Sequence, residues 1–434
     1  MDATQERATH EHAAPGQAAE AGTVIIGGGQ AGLQVADSLR AGGYTAPVTI
    51  IADEAGAPYQ RPPLSKDFLL PGKDATPLPL RGPDFLADHD ITLRAGAPAT
   101  AIDRAAHTVA LADGSTIAYE HLVLATGARN RSLSCPGADL PGIHGLKTLH
   151  DAEALHRALP GARDVVVVGA GFIGLEFAAA ARAHGARVTV LEFAPRPMGR
   201  ALSPLMGDWF AASHAAQGVE LHLGEGIGSF TAGDDGRVAA AVSTAGTSYP
   251  ADLVVVGIGV VPHDALAAEA GLEVGNGIVV DGALRTSDPS ILAVGDCANF
   301  PNPHAGTRTR LESVQNATDQ GRHAAATILG TVADYTALPW FWSTQGPVRL
   351  QIAGLTAPGD ETTVLGDPAD GRFSVLCHRE GQLAAVESVN SPADHMAARK
   401  LIAAGAGPDP AEASTPGFSL KAYAKAALRV PAAV

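Results

Sequence analysis

The spacing of apolar and polar positions changes along the chain, and the changes locate its elements. Residues 23–26 (TVII) form a short β-branched run. Gly27-Gly28-Gly29-Gln30-Ala31-Gly32 follows, and then Leu33, Val35, Ala36 and Leu39 at helical spacing. This pattern predicts strand, glycine turn, helix. Residues 164–168 (DVVVV) repeat the unit with Gly169-Ala170-Gly171-Phe172-Ile173-Gly174 and an alanine-rich helix through Arg182. Unbroken apolar runs of this kind predict parallel strands buried on both faces. Two more such runs, 122–125 and 291–294, end in small-residue turns at Thr126-Gly127 and Gly295-Asp296. Beyond Gly330 the period changes. Residues 373–390 predict a hairpin turning near Glu380-Gly381, and helical spacing returns over 393–404 and 420–428, which makes a third, α+β module.

The two glycine turns carry chemistry. In GxGxxG the first glycine permits the tight turn, the second lets backbone approach a pyrophosphate, and the third lets helix and strand pack closely. The phosphates then meet free amides and the positive end of the helix dipole. Each copy is followed by a strand ending in acid: Val48–Ile51 before Asp53 and Glu54, and 188–191 before Glu192. The carboxylates stand 21 residues after Gly32 and 18 after Gly174, close to the spacing of about 20 for a ribose-binding acid. Two such sites imply two nucleotides, a tightly held flavin in the first unit and a diffusible nicotinamide in the second.

Composition narrows the class. At 434 residues the chain exceeds a single core, so two or three domains are expected. A net charge of −15 disfavours nucleic acid or an anionic membrane as partner through the overall field. Residues 1–22, without an apolar core, predict a tail and not a signal peptide. The most apolar stretch, 165–181, is interrupted by Glu176 and three glycines, so a soluble, cytoplasmic protein is expected. Cys135, Cys297 and Cys377 form no CxxC pair, which excludes a disulfide scaffold, a cysteine zinc site and a CxxC redox centre. His10-Glu11-His12 lies in the tail and HExxH is absent, so no metal site is expected.

Together with the glycine turns, several segments resemble the FAD-dependent NADH:ferredoxin reductases that serve Rieske-type oxygenases and haem monooxygenases. They are Pro58-Tyr59-Gln60-Arg61-Pro62-Pro63-Leu64-Ser65-Lys66, Ala125-Thr126-Gly127, Gly295-Asp296-Cys297-Ala298, Glu312-Ser313-Val314-Gln315-Asn316-Ala317 and Pro339-Trp340-Phe341-Trp342-Ser343. The resemblance implies an α/β, glutathione-reductase-like flavoprotein with two dinucleotide-binding domains and a C-terminal α+β domain. It divides the chain into FAD-binding segments 23–121 and 251–330, an inserted NAD-binding domain 122–250 and a flavin-covering domain 331–434. It also implies that Gly27, Gly29, Ala31 and Gly32 hold the FAD pyrophosphate and Asp53 its adenosine ribose. Asp296 would bind the ribityl chain, and Val314 and Lys66 would lie by the ring. Gly169, Gly171 and Gly174 would hold NADH, with Glu192 on its ribose and Phe172 as a gating aromatic. Arg61, Thr126, Gly127 and Gly259 complete the cofactor-binding set.

For catalysis the resemblance points to Lys66 paired with Glu176 beside the flavin, and to Trp342 as a flanking aromatic on the electron path. A structural ion pair and a core tryptophan are the plain alternatives. Glu192 favours NADH by repelling a 2′-phosphate, while Arg196 and Arg200 stand close enough in sequence to admit some NADPH. The expected acceptor is a 2Fe–2S ferredoxin docking near Arg308 and Arg310, or an ordinary solvated loop lies there. Thr344 departs from the family's usual Ser-Asp-Gln, which weakens partner preference by analogy. The segment 58–67 lacks the cysteine of thiol-using relatives. A rubredoxin reductase, or a redox-sensing interaction protein similar to apoptosis-inducing factor, remains the alternative.

Overall fold

In the computed structural model, residues 21–429 are described, so most of the expected tail over 1–22, with His10-Glu11-His12, lies outside them. The first β-branched run becomes the strand Gly22–Ile26, at the centre of a parallel array. Val48–Ile51 and Ile91–Arg94 lie to one side of it and Thr116–Leu124 to the other. Ile291–Ala293 returns late in the chain to pair with Thr116–Leu124, so the first unit is discontinuous in sequence. The second unit is a five-stranded parallel sheet ordered Val219–Leu223, Arg187–Glu192, Asp164–Val168, Leu253–Val256, Ile143–His144.

Strand pairing moves the expected domain edges. Residues 122–124 belong to the first sheet, and Leu253–Val256 belongs to the second. The crossing between units is the antiparallel pair Ala128–Asn130 with Val260–Pro262. A buried valine run is equally apolar in either sheet, so composition could not place these boundaries.

The C-terminal module is a five-stranded antiparallel sheet ordered Trp340–Gln345, Val348–Gly354, Gln382–Val389, Arg372–Arg379, Glu361–Asp367. Its hairpin turns at Glu380 and Gly381, both with positive φ (53° and 77°), as a two-residue primed turn requires. One face packs on Pro392–Ala403 and Leu420–Ala427. The other joins the second unit in one apolar core, in which Leu350, Phe373 and Val375 meet Phe177, Met206 and Phe210. No helix among the described residues is long and apolar enough to cross a membrane.

Candidate functional site

Both glycine turns take the geometry that their spacing dictates. Gly27 and Gly169 have φ of +122° and +101°, the left-handed region that L side chains avoid. A Cβ on Gly32 would lie 2.0 Å from the Gly27 carbonyl oxygen, and one on Gly174 would lie 2.2 Å from that of Gly169, so each third glycine is fixed by close packing. The second glycines differ. A Cβ on Gly29 would meet nothing within 4 Å, and one on Gly171 only the Gly257 oxygen at 3.7 Å.

The helices Gln30–Ala41 and Phe172–Ala183 begin at these two glycines with no side chain accepting from their first amides. By contrast Thr148, Ser203 and Ser313 cap the helices that follow them. Free amides, a positive helix end and open space above the second glycine fit a diphosphate at each turn.

Acids stand at both strand ends, unequally engaged. Glu192 reaches back to its turn, accepting from Ala170 N at 2.6 Å and from Ala194 N at 2.7 Å. Asp53 is exposed and accepts from Glu54 N. Glu54 is occupied by Arg61 and the Tyr59 hydroxyl, which leaves Asp53 as the free carboxylate. Arg61 also donates to Lys147 O at 2.8 Å and lies over the Tyr59 ring, so it braces this loop.

The remaining first-unit positions converge. The helix Val314–Ile328 packs along Gln30–Ala41, and Gln320 Oε1 accepts from Gly295 N at 2.7 Å. A Cβ on Gly295 would lie 3.1 Å from the Ala31 methyl, so Ala31, Asp296 and the start of the Val314 helix share one locality. Thr126 donates to His263 O at 2.6 Å, and Gly127 has φ +68°, which places this turn at the crossing between units. Lys147, which no motif singled out, sets its ammonium 3.5 Å from Asp296. The Cys297 thiol is buried against the Leu124 and Val294 carbonyls; burial pushes its pKa up, so it packs and stays protonated.

Lys66 and Glu176, 110 residues apart, meet. Glu176, 3% exposed, accepts from Lys66 Nζ at 2.7 Å, Ser65 Oγ at 2.5 Å and Ser343 Oγ at 2.6 Å. Those partners come from the segment before the Lys66 turn and from the C-terminal sheet, so all three units join at one carboxylate. The neighbouring aromatic contact is Phe172 on Phe341, with centroids 4.6 Å apart.

Strand alternation puts Trp342 on the opposite face from Ser343, away from the Lys66 pair. There it lies 5.6 Å from Trp340, which carries Arg399 over its ring at 4.3 Å. Gly259 has φ +96° and faces Arg200, whose guanidinium would lie 3.2 Å from a Cβ there. The sequence reading missed Gly257, whose carbonyl oxygen would lie 2.6 Å from a Cβ on Gly169. Its signal was a second strand ending in glycine. Arg196 pairs with Asp208 at 2.8 Å.

One expectation fails. Arg310 is turned inward, its side chain 9% exposed, donating to Asp296 O at 3.0 Å and paired with Glu312 at 2.7 Å. It braces the Asp296 turn and presents no charge to a partner. Arg308 is exposed, with its guanidinium on the Val280 and Asn299 carbonyls.

Known proteins agree with this architecture. Residues 22–321 match the model described as pyridine nucleotide-disulphide oxidoreductase, and 340–424 match that described as reductase C-terminal. The chain belongs to the pyridine nucleotide-disulphide oxidoreductase family. This oxidoreductase is 50% identical over 398 residues to rhodocoxin reductase of Rhodococcus erythropolis, covering 92% of this chain and 93% of that one. It is 42% identical over 401 residues to the anthranilate 1,2-dioxygenase system ferredoxin–NAD(+) reductase component of Burkholderia cepacia, covering 92% and 98%. Among solved structures, the covalent putidaredoxin reductase–putidaredoxin complex aligns with a TM-score of 0.90 at 38% identity, covering 95% of this chain and all of that one.

Proposed function

We propose that this oxidoreductase is an NADH-dependent ferredoxin reductase that supplies electrons to an oxygenase. Bound FAD supplies the chemistry of accepting a hydride and releasing electrons one at a time. The single observation that carries the site reading is the buried Glu176 carboxylate, held by Lys66, Ser65 and Ser343 where the three units meet. Glu176 fixes the Lys66 ammonium, which would stabilise negative charge on the flavin ring. Gly29 and the amides behind it would hold the FAD diphosphate, with Asp53 on its ribose. Asp296, held by Lys147 and the Arg310 brace, would orient the ribityl chain. Glu192 takes the coenzyme ribose and disfavours a 2′-phosphate, which supports NADH. Phe172, packed on Phe341, would gate the entry of the nicotinamide.

The carrier docks over the Trp340 edge. Trp340, Met396, Arg399 and Lys400 line one groove there together with Asp319, whose carboxylate is paired with Arg322, and Met396 is exposed. A cationic, apolar rim suits an acidic iron–sulfur protein despite the net charge of −15. NADH-driven cytochrome c reduction with a panel of purified 2Fe–2S ferredoxins and rubredoxins tests the whole reading. At least one ferredoxin should raise turnover strongly over the carrier-free rate. An NADH-reduced protein that persists in air and ignores every carrier would instead favour a redox sensor.

A further inference from the structure

The segment 193–202 links Glu192 to the helix Pro204–Ala216, and both of its ends are pinned. At the coenzyme side, Ala170 donates its amide to Glu192 and accepts at its carbonyl from Met198 N at 2.9 Å. At the other side the C-terminal module grips the segment at two places and the helix cap that follows it, Ser203, at a third. Gln345 Nε2 donates to Met198 Sδ at 3.4 Å, and Thr356 Oγ1 donates to Ala201 O at 3.2 Å. Glu387 accepts from both Ser203 N and Ser203 Oγ, each at 2.6 Å.

Glu387 is an unexpected residue for its place. It is fully buried on the strand Gln382–Val389, between the module's sheet and the second unit. An apolar residue there would satisfy packing, and an unpaired carboxylate in such a site is costly. No salt bridge to Glu387 exists among the described residues, and Arg379, on the adjacent strand, is held by both oxygens of Asp360 at 2.9 Å. Glu387 therefore depends on the two Ser203 donors. Ser203 in turn caps its helix, accepting from Met206 N at 3.3 Å, so a shift of Glu387 shifts the end of the segment and the helix start together.

We propose that Glu387 and Ser203 are positioning residues for the coenzyme. Through this pair the C-terminal module sets the 193–202 segment against the second glycine turn, and so holds Glu192 where the ribose binds. The idea rests on the reading that Glu192 and the Gly169 turn hold NADH. Communication runs from the module through Ser203, Ala201 and Met198 to Ala170, whose amide carries Glu192.

The test is stopped-flow flavin reduction at varied NADH in Glu387→Leu, Ser203→Ala and Glu387→Gln, with Glu192→Ala as a reference. Losing the paired hydrogen bonds should raise the apparent Kd for NADH about 5- to 10-fold in Glu387→Leu and about 3-fold in Ser203→Ala. The limiting reduction rate and the reoxidation of dithionite-reduced protein by ferricyanide should each stay within about 2-fold. Glu387→Gln can accept from Ser203 N and donate to Ser203 Oγ, so it should restore Kd to within about 2-fold.

A Kd unchanged in both Glu387→Leu and Ser203→Ala overturns the proposal, as does a parallel fall in limiting rate and ferricyanide reoxidation. If Glu387→Leu does not retain flavin, Ser203→Ala decides alone by the same criteria. Should Glu192→Ala weaken NADH while these variants do not, only the latch is lost. Should Glu192→Ala also leave Kd unchanged, the coenzyme-site reading falls with it.

Discussion

Replacing Lys66 by Met removes the only cation, among the described residues, on a carboxylate with three polar contacts, at 2.5, 2.6 and 2.7 Å. A hydrogen bond to a charged group contributes about 1.5–3 kcal/mol, and stripping a buried ion pair of one partner costs about 3–5 kcal/mol. The two serine hydroxyls remain and Lys66 is 18% exposed, so the lower range applies, about 1.5–3 kcal/mol of stability. Removing both charges in Lys66→Met/Glu176→Leu should recover most of that loss, because no lone buried charge remains.

Reduction should behave differently. If the ammonium contributes a similar free energy to the charge developing on the acceptor ring, its loss slows reduction at saturating NADH roughly 10- to 100-fold. The double variant stays equally slow. Thermal melts followed by far-UV circular dichroism read the first quantity, and stopped-flow bleaching of the flavin reads the second. A purely structural ion pair gives the opposite outcome: wild-type reduction in Lys66→Met, or reduction restored together with stability in the double variant.

Three further outcomes follow from the geometry. Gly29→Ala, with open space around its Cβ, should keep apoprotein stability within about 0.5 kcal/mol yet lose flavin on gel filtration, whereas Gly32→Ala should destabilise the fold itself. Equal stability losses in the two would contradict the assigned glycine roles. Reversing Arg399 and Lys400 to Glu should lower ferredoxin-dependent turnover and its salt sensitivity while sparing ferricyanide reduction; the same reversal at Arg308 should have a smaller effect. Burial pushes the Glu387 carboxyl up to about 7, with Ser203 opposing the rise and Asp360 adding to it. The native state then holds a proton that the unfolded state has released, so the contribution of Glu387 to stability falls as pH rises from about 4.5 to 7 and levels off above, by roughly 3 kcal/mol, while burial holds the His395 imidazole down to about 4 and its contribution rises over much of the same window. Urea unfolding across that window should show the Glu387 contribution as the difference in pH slope between the wild type and Glu387→Gln.

Much of the site was legible because its determinants are local. Positive φ at Gly27 and Gly169, and the close approach of Gly32 and Gly174 to them, are fixed by backbone sterics within six residues. The ribose acids follow from one further strand at a set distance. The hairpin at Glu380-Gly381 needed only alternation and two left-handed turn residues.

What lay hidden spans distance. Sequence alone could weigh Arg310 only by its charge, and the fold decided that Glu312 and the Asp296 carbonyl consume it. Lys147 carries no motif and gains a place only beside Asp296.

By itself, then, the sequence determined two dinucleotide turns, their acids and a C-terminal α+β module, since each is written in residues that touch along the chain. Only the tertiary structure decided where the domain edges fall. It also decided that Glu176 gathers Lys66 and Ser343 from 110 and 167 positions away, and that Glu387 reaches Ser203 across 184. A buried carboxylate must find its donors wherever packing brings them, and no local pattern records which ones those are.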